Sequence, residues 1–274
     1  MSPKIAVKTG TVEETLLLPL WGRADETRRA EPRLVDNKAV EILDRVDYDF
    51  STIEKTQAMS QHGWVARCLH TDRLARDFIR RHPEASIVNI GCGLDTTFSR
   101  IDNGKIMFYE LDLPDVIALR AKLIEDSERH QSIASSFLDT AWLADITADK
   151  GLLFLAGGVF YYFDEQKIRE FFTRLADTFD ECELYFDVLS PLGLRVGKKQ
   201  VLKKSGMDMS LNEGWALKSA RTIETWDSRL HVLESAPLYQ GMHNGLPLPT
   251  RLMFIMTDIL KVCSMVHLRI AAAQ

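Results

Sequence analysis

The stretch Ile87-Val-Asn-Ile-Gly-Cys-Gly-Leu-Asp-Thr-Thr97 concentrates the residue types that could hold a ligand. A short apolar run ends in Gly91 and Gly93, and an Asp/Thr cluster suited to capping a helix follows. Glycines at such a turn let the backbone bend sharply and let a ligand approach main-chain N–H groups. The third glycine of a dinucleotide fingerprint would fall at Thr96, and no Gly-Lys-Ser/Thr of a phosphate loop follows. The next apolar run ends in Tyr109-Glu-Leu-Asp112. Acids about twenty positions beyond such glycines sit where a ribose diol is gripped. A carboxylate suits that role because it accepts from both vicinal hydroxyls. A third run leads into Leu138-Asp-Thr-Ala-Trp142. Asp139 there suits an adenine amino group or a helix N-cap, and Trp142 suits the face of the ring. Together these describe an adenosine site with no phosphate-specific feature. That favours S-adenosylmethionine over a nicotinamide dinucleotide.

Other chemistry is sparse. No Ser/His/Asp constellation stands out, and none of the seven histidines forms a spaced ligand pair. The four cysteines, Cys68, Cys92, Cys182 and Cys263, include no CxxC pair, so neither a metal site nor a disulfide framework is expected. Buried thiols in a reducing compartment follow, and with no apolar leader in residues 1–10 the expectation is a cytoplasmic protein. His243, in the polar loop Gln240-Gly-Met-His-Asn-Gly245, is a candidate general base, alongside Tyr161 and Tyr162. Lys198, Lys199, Lys203 and Lys204 read as a solvated face, beside Met207 and Met209.

The elements that must position these residues follow from periodicity. The 274 residues include 46% hydrophobic and 27% charged residues, which excludes a disordered or fibrous chain and leaves ample side chain for a core. A net charge of −5 argues against a nucleic-acid binder, and charges interrupt the most apolar late stretch, Leu252–Ala273, so no membrane span is expected. The first eighty residues read as helices at 13–21, 36–44, 51–56 and 61–81. Strands are expected at Ser86–Ile90, Ile106–Leu111, Ile133–Leu138, Gly151–Leu155 and Cys182–Leu189. Helices at Pro114–Ser127 and Asp164–Phe179 lie between them. That alternation implies parallel strands with crossover helices, an α/β doubly wound sheet. A helix at Thr250–Val262 separates two final strands at His231–Leu238 and Met265–Ala271. Ser190–Trp215, with four glycines, reads as an insertion or lid.

The motifs Val88-Asn-Ile-Gly-Cys-Gly-Leu-Asp-Thr96 and Tyr109-Glu-Leu-Asp-Leu-Pro-Asp-Val116 resemble those of the leucine carboxyl methyltransferase family, in its bacterial branch. Glu14–Ala24 and Asp36–Phe50 are similar to that branch as well. The resemblance implies a class I S-adenosylmethionine-dependent methyltransferase fold, Rossmann-like, with a seven-stranded, mostly parallel sheet whose last strand is reversed. It implies a helical cap over residues 1–84 and a methyltransferase domain over 85–274, with a lid near 190–215. Carried over residue by residue, it puts the cofactor on Gly91 and Gly93, and the ribose on Asp112, with Glu110 the near alternative. Adenine falls at Asp139 with Thr140 beside it, and the methionine carboxylate at Arg67. Gly157 stands where the family has a glutamate, so a small space filled by water or a neighbour is expected there. The activity implied is O-methylation of a small-molecule hydroxyl or carboxyl, polyketide-like or another secondary metabolite. Methylation of a protein C-terminal carboxylate, or cofactor binding with altered catalysis, are the alternatives. No metal, nucleic acid or membrane partner is implied, and oligomeric state is left open.

Overall fold

The computed structural model describes residues 4–7, 12–204, 214–244 and 246–271. Apolar runs without alternation belong in strands covered on both faces, and the two most central strands have that form. Every residue of β3 (Ser86–Ile90) and β6 (Leu152–Ala156) is buried. Around them lie β4 (Met107–Asp112), β5 (His130–Ala134), β7 (Glu181–Leu189), β8 (Leu230–Pro237) and β9 (Cys263–Ala271). The seven strands run in the order β5-β4-β3-β6-β7-β9-β8, and β9 alone runs opposite to the other six. The strand order reverses direction between β3 and β6, which is where open α/β sheets bind ligands at their carboxyl ends.

Alternate residues feed the two faces. Val88, Ile90, Leu111 and Phe154 pack with Ile168, Phe171, Phe172 and Leu175 of a helix over Glu165–Thr178. Ile87, Phe108, Leu153 and Leu155 pack with Leu74, Ala75, Phe78 and Ile79 of a helix over Ser51–Arg81. That 31-residue helix is continuous, where two separate helices were expected. No proline or glycine pair interrupts Gln57–Ser60, and at 1.5 Å per residue it spans about 46 Å. Its last turns cover the sheet, while Ile53 near its start joins a separate cluster with Leu17, Leu20, Ile42 and Leu94. The region expected as a helical cap over residues 1–84 therefore includes a helix whose last turns cover the sheet.

In chain order the helices are α1 (Val12–Thr27), α2 (Asn37–Asp44), α3 (Ser51–Arg81), α4 (Thr97–Ile101), α5 (Pro114–Arg120), α6 (Glu165–Thr178), α7 (Pro191–Lys204) and α8 (Leu248–Ile259). A two-residue parallel pair, β1 (Ile5–Ala6) with β2 (Val46–Asp47), was too short to foresee. The strand expected at Ile133–Leu138 lies earlier, because buried His130 rather than the later apolar residues enters the ladder opposite Phe108. The expected lid over 190–215 begins as α7, and a Cβ on Gly193 would stand 2.0 Å from the Val262 carbonyl oxygen. At its other end Trp215 is core, stacked on Phe186. Met207 and Met209 lie outside the described residues; the four lysines lie on α7.

Two ionic junctions lock these layers, the first of them buried. Asp36 caps α2 through Ala39 N–H and accepts from Arg23 Nε at 3.0 Å and from Arg100 Nη1 at 2.7 Å. Arg100 Nε also reaches Asp72 of α3 at 2.8 Å. Removing one partner of such a cluster strands buried charge. Asp36→Ala is expected to lower stability by about 3–5 kcal/mol in chemical denaturation; a loss under about 1 kcal/mol contradicts the role. Elsewhere, Glu183 of β7 accepts from Arg81 Nη1 at 2.8 Å and pairs with His267 Nε2 at 2.8 Å. Burial works against its charge, but His267 and Arg81 outweigh it and hold the carboxyl at about 2. A pKa lowered on folding contributes stability above the unfolded value near 4.5, which is lost as pH falls toward 2. With Arg81 half exposed, about 1–2 kcal/mol should vanish across that window in acid titrations of wild type and not of Glu183→Gln.

Candidate functional site

The turn after β3 requires its glycines. Gly91 and Gly93 have φ of 63° and 50°, the left-handed region that side chains disfavour. A Cβ on Gly91 would stand 2.5 Å from Val159 Cγ2, so the turn also packs directly on the segment after β6. Leu16 of α1 lies 3.0 Å from the Cβ position of Gly93, which places the first helix over the turn. Three guanidiniums hold the turn from outside. Arg23 Nη2 donates to Leu94 O at 2.7 Å, and Arg120 Nη1 donates to Gly93 O at 3.1 Å and Asp95 O at 2.7 Å. Arg100 Nη2 donates to Thr97 Oγ1 at 2.9 Å. Burial works against the Asp95 charge, but Arg100 and Arg23 outweigh it and hold that carboxyl at about 2.

Asp112, at the end of β4, meets this turn. Its Oδ2 accepts from Gly93 N–H at 2.7 Å and its Oδ1 from Leu113 N–H at 2.7 Å. Burial pushes its carboxyl above the ordinary range, against the pull of those two bonds. Two of its roughly four acceptor positions are used, which leaves capacity for a diol. Glu110 differs. It is fully buried and accepts from Asn89 Nδ2 at 2.9 Å and Arg120, with His130 Nε2 at 3.1 Å. It lies a full pleat down the strand, beneath α5, and serves the interior; the near-alternative ribose role does not fit that position.

Asp139 is exposed beyond β5 and caps a short 3-10 turn, Thr140–Asp145, through Ala141 N–H at 3.4 Å. Thr140 begins that turn. Trp142 is core rather than ring cover: it is 4% exposed and packs edge-on against Phe154.

Arg67 projects from α3 toward the ends of β6 and β7. Its Nη2 donates to Asp187 Oδ2 at 2.8 Å, and its Nε is buried with no hydrogen-bond partner. Gly157 has no empty space beside it. A Cβ there would stand 3.0 Å from Arg67 Cδ, so the arginine stem fills the place expected for water or a neighbour. Tyr161 and Tyr162 tilt against each other with centroids 4.7 Å apart. Burial pushes the Tyr161 phenol well above its ordinary value, which keeps it protonated and unsuited to accepting a proton at neutral pH. His243 stands better for that task. Its Nε2 is 3.0 Å from Asp258 Oδ2 on α8, and Asp258 Oδ1 also accepts from Tyr239 N–H at 3.1 Å. A carboxylate on one ring nitrogen fixes the tautomer and leaves the other nitrogen to take a proton.

Sequence reasoning passed over Asp187 and Asp258. Asp187 carried a weaker signal than Asp112, a lone acid inside an apolar run. Asp258 carried none, because its partners lie in a loop fifteen and more residues earlier.

Residues 17–176 match the sequence profile of leucine carboxyl methyltransferase. The tetracenomycin polyketide synthesis O-methyltransferase TcmP of Streptomyces glaucescens is 32% identical over 216 residues, 78% of each chain. The S-adenosyl-L-methionine-dependent methyltransferase dpfgK of Gibberella zeae is 26% identical over 233 residues, again 78% of each. Among solved structures, a DUF574 family protein from Streptomyces avermitilis superposes with a TM-score of 0.55 at 12% identity, covering 92% of this chain and 97% of that one. The plantazolicin methyltransferase BamL, in complex with a triazolic desmethylPZN analog and SAH, gives 0.53 at 10% identity, covering 96% and 98%. These two structural likenesses establish the fold.

Asp112→Ala removes a charged acceptor, and such bonds contribute about 1.5–3 kcal/mol each. Titration calorimetry with S-adenosylmethionine is expected to show at least about a tenfold loss of affinity. Unchanged affinity would show that the diol is held elsewhere.

Proposed function

The chain belongs to the leucine carboxyl methyltransferase family, and on that premise we propose that it is an S-adenosylmethionine-dependent O-methyltransferase whose acceptor is a small-molecule hydroxyl or carboxyl. The observation that carries the reading is the contact of Asp112 with Gly93 N–H at 2.7 Å, which sets a carboxylate against a left-handed glycine turn. The residues fit an adenosyl ligand with an amino-acid end. The turn has no room for a Cβ at Gly91, and Arg67 keeps a buried N–H to satisfy. In this reading Gly91 and Gly93 let backbone approach the ligand, Asp112 takes the ribose hydroxyls, and Asp139 with Thr140 borders the adenine. Arg67 takes the carboxylate.

S-adenosylmethionine supplies a methyl group already activated by its sulfonium. The chain's own part is to orient the acceptor oxygen in line with that methyl and to exclude water. A carboxylate acceptor needs no base. A hydroxyl loses its proton as its oxygen forms the new bond, and in this reading His243 accepts that proton while Asp258 steadies the ring. Residues 1–84 act as the cap and 85–274 as the transferase portion. No helix among the described residues is long and apolar enough to cross a membrane. The four cysteines are free and three are buried, which supports a reducing compartment and thus the cytoplasm.

A panel of phenols, polyketide-like hydroxyls and carboxylic acids, assayed with methyl-labelled cofactor, tests this reading. Turnover on at least one small acceptor is expected. His243→Ala should cut transfer to hydroxyl acceptors by about 10²-fold or more while cofactor binding persists. An equal loss on carboxylate acceptors would remove His243 from the role of base.

A further inference from the structure

Asp187 is fully buried on β7 and joins three separate parts of the chain. Its Oδ2 accepts from Arg67 Nη2 of α3 at 2.8 Å, and its Oδ1 accepts from Gly158 N–H, beyond β6, at 2.6 Å. Cys263 Sγ, at the start of β9, stands 3.9 Å from Oδ2. The arm it holds lies across the turn after β6, with Cδ 3.0 Å from the Cβ position of Gly157 and Nη1 3.7 Å from that of Gly158. The arginine side chain is 20% exposed, yet its Nε is buried without a partner. Buried N–H groups are rarely left unpaired, so this one marks a place for an acceptor that the chain does not provide.

A guanidinium released from Asp187 would be an uncompensated cation in a nearly closed site, and the lowest-cost response is to swing its long arm toward water. The tether therefore decides where Arg67 points. We propose that Asp187 is a positioning residue that fixes the Arg67 guanidinium for the carboxylate at the amino-acid end of the cofactor, making the chain selective for S-adenosyl ligands that carry that carboxylate. The proposal rests on the assignment of Arg67 to that carboxylate. Glycine at 157 belongs to the same device, since any side chain there would push the Arg67 stem aside.

Two ligands separate positioning from general support of the fold. S-adenosylhomocysteine carries the carboxylate; 5′-methylthioadenosine keeps the adenosyl thioether and lacks the amino acid. Calorimetry on the full chain should show Asp187→Asn weakening S-adenosylhomocysteine about tenfold or more, with methylthioadenosine unchanged within about twofold. In an Arg67→Met background the same substitution should cost nothing further, because Asp187 acts through Arg67. Unchanged or tighter S-adenosylhomocysteine binding overturns the proposal. So does equal weakening of both ligands, or a full effect that persists without Arg67. If Asp187→Asn does not fold, Asp187→Glu keeps the charge and moves the carboxylate by one methylene. Selective loss of S-adenosylhomocysteine then supports positioning, and no loss overturns it. Arg67→Met binding S-adenosylhomocysteine like wild type would instead refute the assignment of Arg67 itself.

Discussion

Three buried arginines gripping one glycine turn are the constraint on which the rest of the structure depends. A turn with two left-handed residues has lost the regular hydrogen bonds of strand and helix, so its polar groups need other partners. Arg23, Arg100 and Arg120 supply them on the outer side, at the Leu94, Gly93 and Asp95 carbonyls and the Thr97 hydroxyl. On the inner side, Gly91 and Cys92 N–H both lean on Leu111 O, and Gly93 N–H meets Asp112. The turn is thus held by groups from α1, α4, α5 and β4. Its shape does not wait for a ligand, which is what preorganisation of a binding site requires.

The same arginines explain why the N-terminal helices belong to the site. Arg23 comes from α1, and its partner Asp36 caps α2 while also receiving Arg100 from α4. Asp72 of α3 closes the circuit. Desolvating so many charges is costly, and the attraction repays it only when every member is paired. α1 and α2 therefore cannot shift without disturbing the turn they contact. Earlier in the same long helix, Arg67 reaches the ends of β6 and β7, so one element links α4 to the Arg67–Asp187 pair.

The local part of this site was legible in the sequence. Gly91, Gly93 and Asp112 sit in two short strings whose spacing reports a strand, a turn and an acid, and those features are set by near neighbours. A seven-stranded, mostly parallel sheet with its last strand reversed followed from the alternation of elements together with the family likeness. What stayed hidden depends on partners far apart in the chain. Glu110 looked like a second ribose acid because nothing adjacent reveals Arg120, His130 and Asn89 closing around it. Trp142 looked like a ring cover because its burial against Phe154 is a tertiary fact. The strand at His130–Ala134 begins on a histidine, which a hydrophobic pattern passes over, and Asp187 gains its meaning from Arg67, 120 residues away.

We propose that the Gly93–Asp112 contact and the Arg67–Asp187 pair form the two ends of one cofactor cleft. A crystal structure of the chain with S-adenosylhomocysteine tests it most directly. The account requires the ribose hydroxyls on Asp112 and the carboxylate on Arg67, with the Arg67–Asp187 bond still made. A ligand whose ribose avoids Asp112, or an Arg67 turned away from both the carboxylate and Asp187, would contradict it.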